Sequence, residues 1–190
     1  MSRRGGKYRR KSFWWFRSTY LPSKGFTLPE TLVVVTIVGI LASTAVAGWL
    51  GFANSRYLAA AQDEVFQIVR QAQIQAERTH ANWKASFRET GGAVQLAVHP
   101  TTALNTAIDW QSLRSGIHID PAETTLLPAN STYQIEFDYR GHILPPFGRL
   151  TLSIDGGGHM RRCVFTSTIL GAVRKGSNRD RPDSTGRYCY

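Results

Sequence analysis

From Thr31 to Ser55 the chain runs for 25 residues without a charge, and its Leu, Val, Ile and Ala residues are continuous rather than periodic. A helix needs about 20 such residues to cross a hydrocarbon core about 30 Å thick, so this stretch predicts a membrane span. After Ser55 the pattern changes. Leu58, Val65, Ile68, Val69, Ala72 and Ala76 recur at three- and four-residue steps, and Gln62, Asp63, Gln67, Arg70, Gln71 and Glu77 fill other positions, which predicts an amphipathic helix over 56–80. No proline falls between Thr31 and Pro100. The two halves therefore read as one helix from about Leu28 to His80, roughly 80 Å long at 1.5 Å per residue. Gly39, Gly48 and Gly51 are its weak points, each costing about 1 kcal/mol relative to Ala.

Beyond His80 the period falls to two. Trp83 to Glu89 and Ala93 to His99, parted by Thr90-Gly91-Gly92, predict a hairpin. Gly116 to Asp120 predicts a short strand, and Tyr133, Ile135, Phe137 and Tyr139 alternate before a turn at Arg140-Gly141-His142. Leu150, Leu152 and Ile154 mark a further strand, ended by a turn at Gly156-Gly157-Gly158. The last strong strand spans Arg161 to Thr168, and Ile169 to Arg174 predicts another. One long helix followed by antiparallel strands defines an α+β fold. Residues 56–190 suffice for one small domain with its own core. The expected organisation is a leader at 1–25, the spanning half of the helix at 26–55, its amphipathic half at 56–80 and an antiparallel sheet domain at 81–190.

Charge changes this picture only after it is divided. The formal net charge of the 190 residues is +10, yet residues 1–25 contribute +8 with no acid. The remaining 15 basic and 13 acidic residues leave +2, with +5 after Asp155 and −3 before it. Lys/Arg beside a span are retained on the cytoplasmic side, which places everything after Ser55 outside the cytoplasm. Disulfides persist there, so the only cysteines, Cys163 and Cys189, are expected to pair; the alternative is two free thiols.

Glu30 stands at the mouth of the apolar run, where a carboxylate facing lipid costs about 2.5–3.5 kcal/mol and needs a partner. Cleavage after Gly25 would place the new α-amino group of Phe26 one helical turn away, at i,i+4 spacing. The Glu30 of a neighbouring subunit would serve that amine equally well.

At these residues, Lys24-Gly25-Phe26-Thr27-Leu28-Pro29-Glu30 resembles the processing site of type IV pilins and pseudopilins. The resemblance implies cleavage after Gly25 by a prepilin peptidase and N-methylation of Phe26. It also implies docking of Glu30 in a filament with other pilin or pseudopilin subunits, through an inner-membrane assembly machinery. Pro29 departs from the aliphatic residue usual in the family, and the leader, with Phe13-Trp14-Trp15-Phe16, is long. Phe137-Asp138-Tyr139-Arg140-Gly141-His142 and the run from Cys163 to Arg174 resemble the C-terminal half of GspH/FimT-type pseudopilins. Residues 81–132 carry no recognised motif. The competing readings are an uncleaved signal anchor and a secreted domain released at Ala45-Val46-Ala47.

Enzymatic signatures do not occur. His80, His99, His118, His142 and His159 lack metal spacing and are expected on the surface or in turns. Asp180, Asp183, Ser184 and Thr185 lack the regular acidic spacing of a calcium loop, so neither metal nor cofactor is expected. Arg174, Lys175, Arg179, Arg181 and Arg187 lie among Gly176, Ser177, Asn178, Pro182 and Gly186 in the segment the cysteines would close. Such cations on a polar segment suit a phosphate backbone, and the family includes members that take up DNA through basic C-terminal residues. A solvated basic tail is the alternative. Two functions follow: a minor pilin capturing DNA, or a GspH-type pseudopilin near the tip of a type II secretion pseudopilus that contacts secreted proteins.

Overall fold

The computed structural model describes residues 25–166 and 170–190. The leader up to Lys24 and the resemblance at Ser167-Thr168-Ile169 lie outside the described residues. The chain divides into two compact units, residues 1–43 and 44–190.

In the first unit, residues 28–43 are the beginning of α1, Leu28–Thr79, and their Leu, Val and Ile side chains are exposed. Hydroxyls along this part are satisfied by the helix itself: Thr31 Oγ1 donates to the Leu28 carbonyl, Thr36 to Leu32 and Ser43 to Ile40, each at 2.8 Å. A polar group without such a partner is costly in hydrocarbon, so these local bonds fit a lipid-facing surface. By length and composition α1 contains a stretch able to cross a membrane.

In the second unit α1 ends at Thr79 because His80 takes a left-handed conformation (φ 49°) and the Ala81 amide bonds back to the Ala76 carbonyl. That bond closes a Schellman turn. The strands are β1 Trp83–Thr90, β2 Ala93–Pro100, β3 Gln111–Ser112, β4 Ile117–Ile119, β5 Pro128–Ala129, β6 Thr132–Phe137, β7 Ile143–Leu144, β8 Gly148–Ile154, β9 Arg161–Thr166 and β10 Val173–Ser177. They form two antiparallel sheets where the sequence predicted one. The first has the order β3-β2-β1-β6-β5 with β7 also on β6, and the second β10-β9-β8-β4. Both share one core with α1, in which Leu58, Val65, Val69, Ala72 and Ala76 meet Phe87, Leu96, Ile135 and Phe137 of the first sheet and Ile117, Leu150, Leu152 and Val164 of the second. Each large apolar side chain buried there contributes about 1.5–3 kcal/mol.

Two buried glutamines set how the helix lies on the strands. Gln62 Nε2 donates to the carbonyls of Cys163 (2.8 Å) and Gly176 (2.6 Å), and Gln73 Nε2 donates to that of Gly141 (2.9 Å). Backbone approaches the helix closely here. A Cβ on Gly141 would stand 2.1 Å from Glu77 Oε1, and one on Gly171 2.2 Å from Gln73 Nε2, while both glycines have positive φ. Gly171, with a φ of +80°, belongs to a turn, and the last strand runs from Val173 to Ser177.

Candidate functional site

The residues predicted to matter fall into two groups, and the first surrounds the start of α1. Phe26 is exposed and Gly25 has open space around its Cα, so the peptide bond between them lies ahead of the helix. Thr27 is the N-cap residue, its carbonyl accepting the Thr31 amide at 3.1 Å. Glu30 reaches back so that Oε2 accepts the Thr27 amide at a long 3.5 Å. Thr27-Leu28-Pro29-Glu30 thus makes one arm of a capping box, and the carboxylate lies in the first turn, where the helix dipole favours it. Pro29 sits in that same turn, where amides have no intrahelical partner to lose. Glu30 is therefore aimed at the backbone that becomes the new terminus if the chain is cut after Gly25.

The second group surrounds the chain end. Cys163, in β9, is bonded to Cys189, as the sequence predicted, and Asn178 and Cys189 pair in an isolated bridge. Three charged residues fix this segment as well. Buried Glu123 accepts the amides of Tyr188 (2.9 Å) and Cys189 (3.3 Å). Buried Arg149 donates to the Cys189 carbonyl, to Asp183 Oδ2 at 2.6 Å and to Thr185 Oγ1 at 3.2 Å. Asp183 Oδ1 in turn accepts the Thr185 hydroxyl and amide and the Arg187 amide. The Thr185 hydroxyl, then the Arg187 amide, hold the Asp183 carboxyl well below the ordinary carboxylate range, with Arg149 adding to them. Asp183 is thus a fastener of the segment.

The five predicted cations do not share one environment. Lys175, on β10, bonds Asp63 of α1 at 2.8 Å and lies 4.6 Å from the Phe66 ring centroid, so it fastens the strand to the helix. Its neighbour Arg174 points to the opposite side of the strand and is exposed. Arg179 is exposed, 5.8 Å from the Tyr190 ring, and exposed Arg181 accepts the Tyr190 hydroxyl on its carbonyl. Arg187 is half-buried, and its Nε is buried with no hydrogen-bond partner. Among the described residues, Arg174, Arg179 and Arg181 have no acidic partner, so the cationic surface reduces to these three with Arg187 at its border.

His99 departs from expectation, whereas His118 keeps to the surface. His99 is buried in β2, its Nε2 2.9 Å from Ser86 Oγ and its Nδ1 3.0 Å from the Pro100 carbonyl; Ser86 is 1% exposed, so no substrate reaches this pair. His118, in β4, stands between Glu89 (Nδ1, 2.7 Å) and Asp155 (Nε2, 3.1 Å), which raise its pKa, Glu89 most. Among the described residues no group of three His, Cys, Asp or Glu is placed to hold a metal ion.

Residues 22–46 match the family described as the prokaryotic N-terminal methylation motif. This is the prepilin signal, and it supports a type IV pilin-like or pseudopilin subunit, a structural component rather than an enzyme. The match implies processing by prepilin peptidase and assembly with other pilins, and the apolar start of α1 is consistent with a membrane-anchored pilin. The α+β architecture of a long N-terminal helix on antiparallel sheets is pilin-like. No curated protein and no solved structure matches the chain.

Proposed function

We propose that the chain is a minor pilin of the GspH/FimT type, cut after Gly25, N-methylated on Phe26 and held in the inner membrane by residues 26–55 until it enters a filament. The observation that carries this reading is Glu30, reaching back to the Thr27 amide at the head of an exposed apolar helix. Once Phe26 is the terminus, its amine competes for that carboxylate, and a neighbouring subunit's amine does so too. Glu30→Ala should be processed and membrane-inserted normally but fail to enter filaments. Normal incorporation of this variant, measured in sheared filament fractions, would exclude the docking role.

The segment between the cysteines supplies the second part of the proposal: Arg174, Arg179, Arg181 and Arg187 hold DNA by its phosphates. Nonspecific dissociation constants of about 10⁻⁴ to 10⁻⁶ M, steeply weakened by salt, are expected. A fragment of residues 56–190 retains every helix residue of the core, which begins at Leu58. In it, Arg179, Arg181 and Arg187 changed together to Gln should weaken binding uniformly across sequences and flatten the salt dependence. The ion pair of Lys175 with Asp63 favours a second reading, because it takes one of the five predicted cations out of the patch. If the fragment binds no DNA at low salt, a type II secretion pseudopilin contacting secreted proteins is the better assignment.

A further inference from the structure

Where α1 leaves its uncharged run, a cavity opens between the helix and the beginning of β9. Ser55 is the last uncharged residue and Arg56 the first charged one. Exposed Trp49 and Phe52 precede them with ring centroids 6.1 Å apart, and the Arg56 guanidinium lies 5.1 Å from the Phe52 ring. Aromatic side chains followed by a cation mark the level of lipid headgroups. Trp49 to Arg56 covers about 10 Å of helix, enough to reach across one headgroup layer of roughly 5–8 Å.

The cavity has a volume of about 240 Å³ and is lined by Ser55 and Leu58 of α1 with Met160, Arg161, Arg162 and Asn178. Arg161 gives its Nε to Asp120 at 2.6 Å. Among the described residues Arg162 has no acidic partner. The free charge of Arg162 and the uncommitted side-chain amide of Asn178 suit a phosphodiester, while Met160 and Leu58 offer apolar surface that a free phosphate does not use. The volume falls below the roughly 300–1,000 Å³ of sites that enclose a whole drug-sized ligand, so only a headgroup-sized piece of a larger molecule enters.

We infer that this cavity binds the phosphate headgroup of an anionic phospholipid in the membrane that holds the subunit. The inference rests on the membrane-span reading of residues 26–55, and its test separates the two. The full chain is reconstituted into vesicles of phosphatidylcholine with or without phosphatidylglycerol and tested for flotation after a carbonate wash. It is then released into mild detergent for native mass spectrometry of retained lipid. Phosphatidylglycerol should be retained in preference to phosphatidylcholine, and Arg162→Gln should lower that retention roughly tenfold, the loss of one charge-assisted contact. Asn178→Asp, which places a negative charge on the cavity wall without altering β9, should do the same, and Arg78→Gln, the same loss of charge at the end of α1, should change nothing. A chain that fails to float overturns both the span and the site. Flotation with unchanged lipid retention in Arg162→Gln and Asn178→Asp overturns the site alone. Displacement of phosphatidylglycerol by inorganic phosphate from a chain still in the vesicle would overturn the lipid assignment in favour of a soluble anion.

Discussion

The first sheet and the end of the second are fastened by different chemistry. In the first, β1 pairs along eight positions with β2 and six with β6, and Phe87, Leu96, Ile135 and Phe137 face the core. In the second, β10 contributes only Val173 to the core, and the strand and chain end are held by a disulfide, by Gln62, and by Arg149, Glu123 and Asp183. Apolar packing does not depend on redox state or on ionised carboxylates. The C-terminal end depends on both, so the two regions should part company when those conditions change.

The largest effect should come from the apolar side. Phe87→Ala in residues 56–190 should cost about 3–5 kcal/mol in denaturant unfolding, by the same amount with or without reductant. A loss that vanishes in reductant would mean that the core and the chain end are not separately held. Next, Cys163 and Cys189 both changed to Ser should cost about 2–5 kcal/mol, with reduction of the wild-type fragment reproducing the loss. Alkylation of either cysteine before reduction would count against the bond.

Smaller effects should appear on titration. Asp183 has a folded pKa depressed below the ordinary 3.8, so its contribution is present above about pH 3.8 and is lost as pH falls through the folded value. Hydrogen exchange at the Thr185 and Arg187 amides should accelerate at the acid end, and Asp183→Asn should remove most of that pH dependence. His118 works in the other direction and joins the two sheets, since Glu89 belongs to the first and His118 to the second. Its folded pKa is raised, so its contribution is complete below about pH 6.5 and is lost as pH rises through the folded value. His118→Gln should flatten stability on that side by a small amount, because the pair is partly exposed. An unchanged pH profile would remove the link.

What was legible in the sequence follows the same division. Hydrophobic periods gave α1, the β1–β2 hairpin, β6, β8 and β9, because each has enough residues for a period to show. The two-residue strands β3, β5 and β7 are too short for any period, and no local pattern says that the strands part into two sheets. β10 has the sequence Val-Arg-Lys-Gly-Ser, apolar at one end only, because its contacts run to Gln62 and Asp63 rather than into a core. At the chain end, the two cysteines and the density of Lys/Arg could be read directly. The parts played by Glu123 and Arg149 could not, since their partners lie 34 to 66 residues away along the chain. One signal was present for Arg149: an arginine inside the strand Gly148-Arg149-Leu150-Thr151-Leu152 had to find a counter-charge if it turned inward.

The glutamine contacts of α1 have a mechanical consequence. Gln62 and Gln73 lie about 16 Å apart along the helix; Gln62 grips backbone carbonyls of β9 and β10 and Gln73 one in the turn after β6, while the apolar face between them packs on the strands. A tensile load applied along the helix axis at residues 58–76 meets these contacts in shear, all at once, and has no free end from which to unzip them. The helix slips only if both amides let go together and the whole row of side chains slides with them.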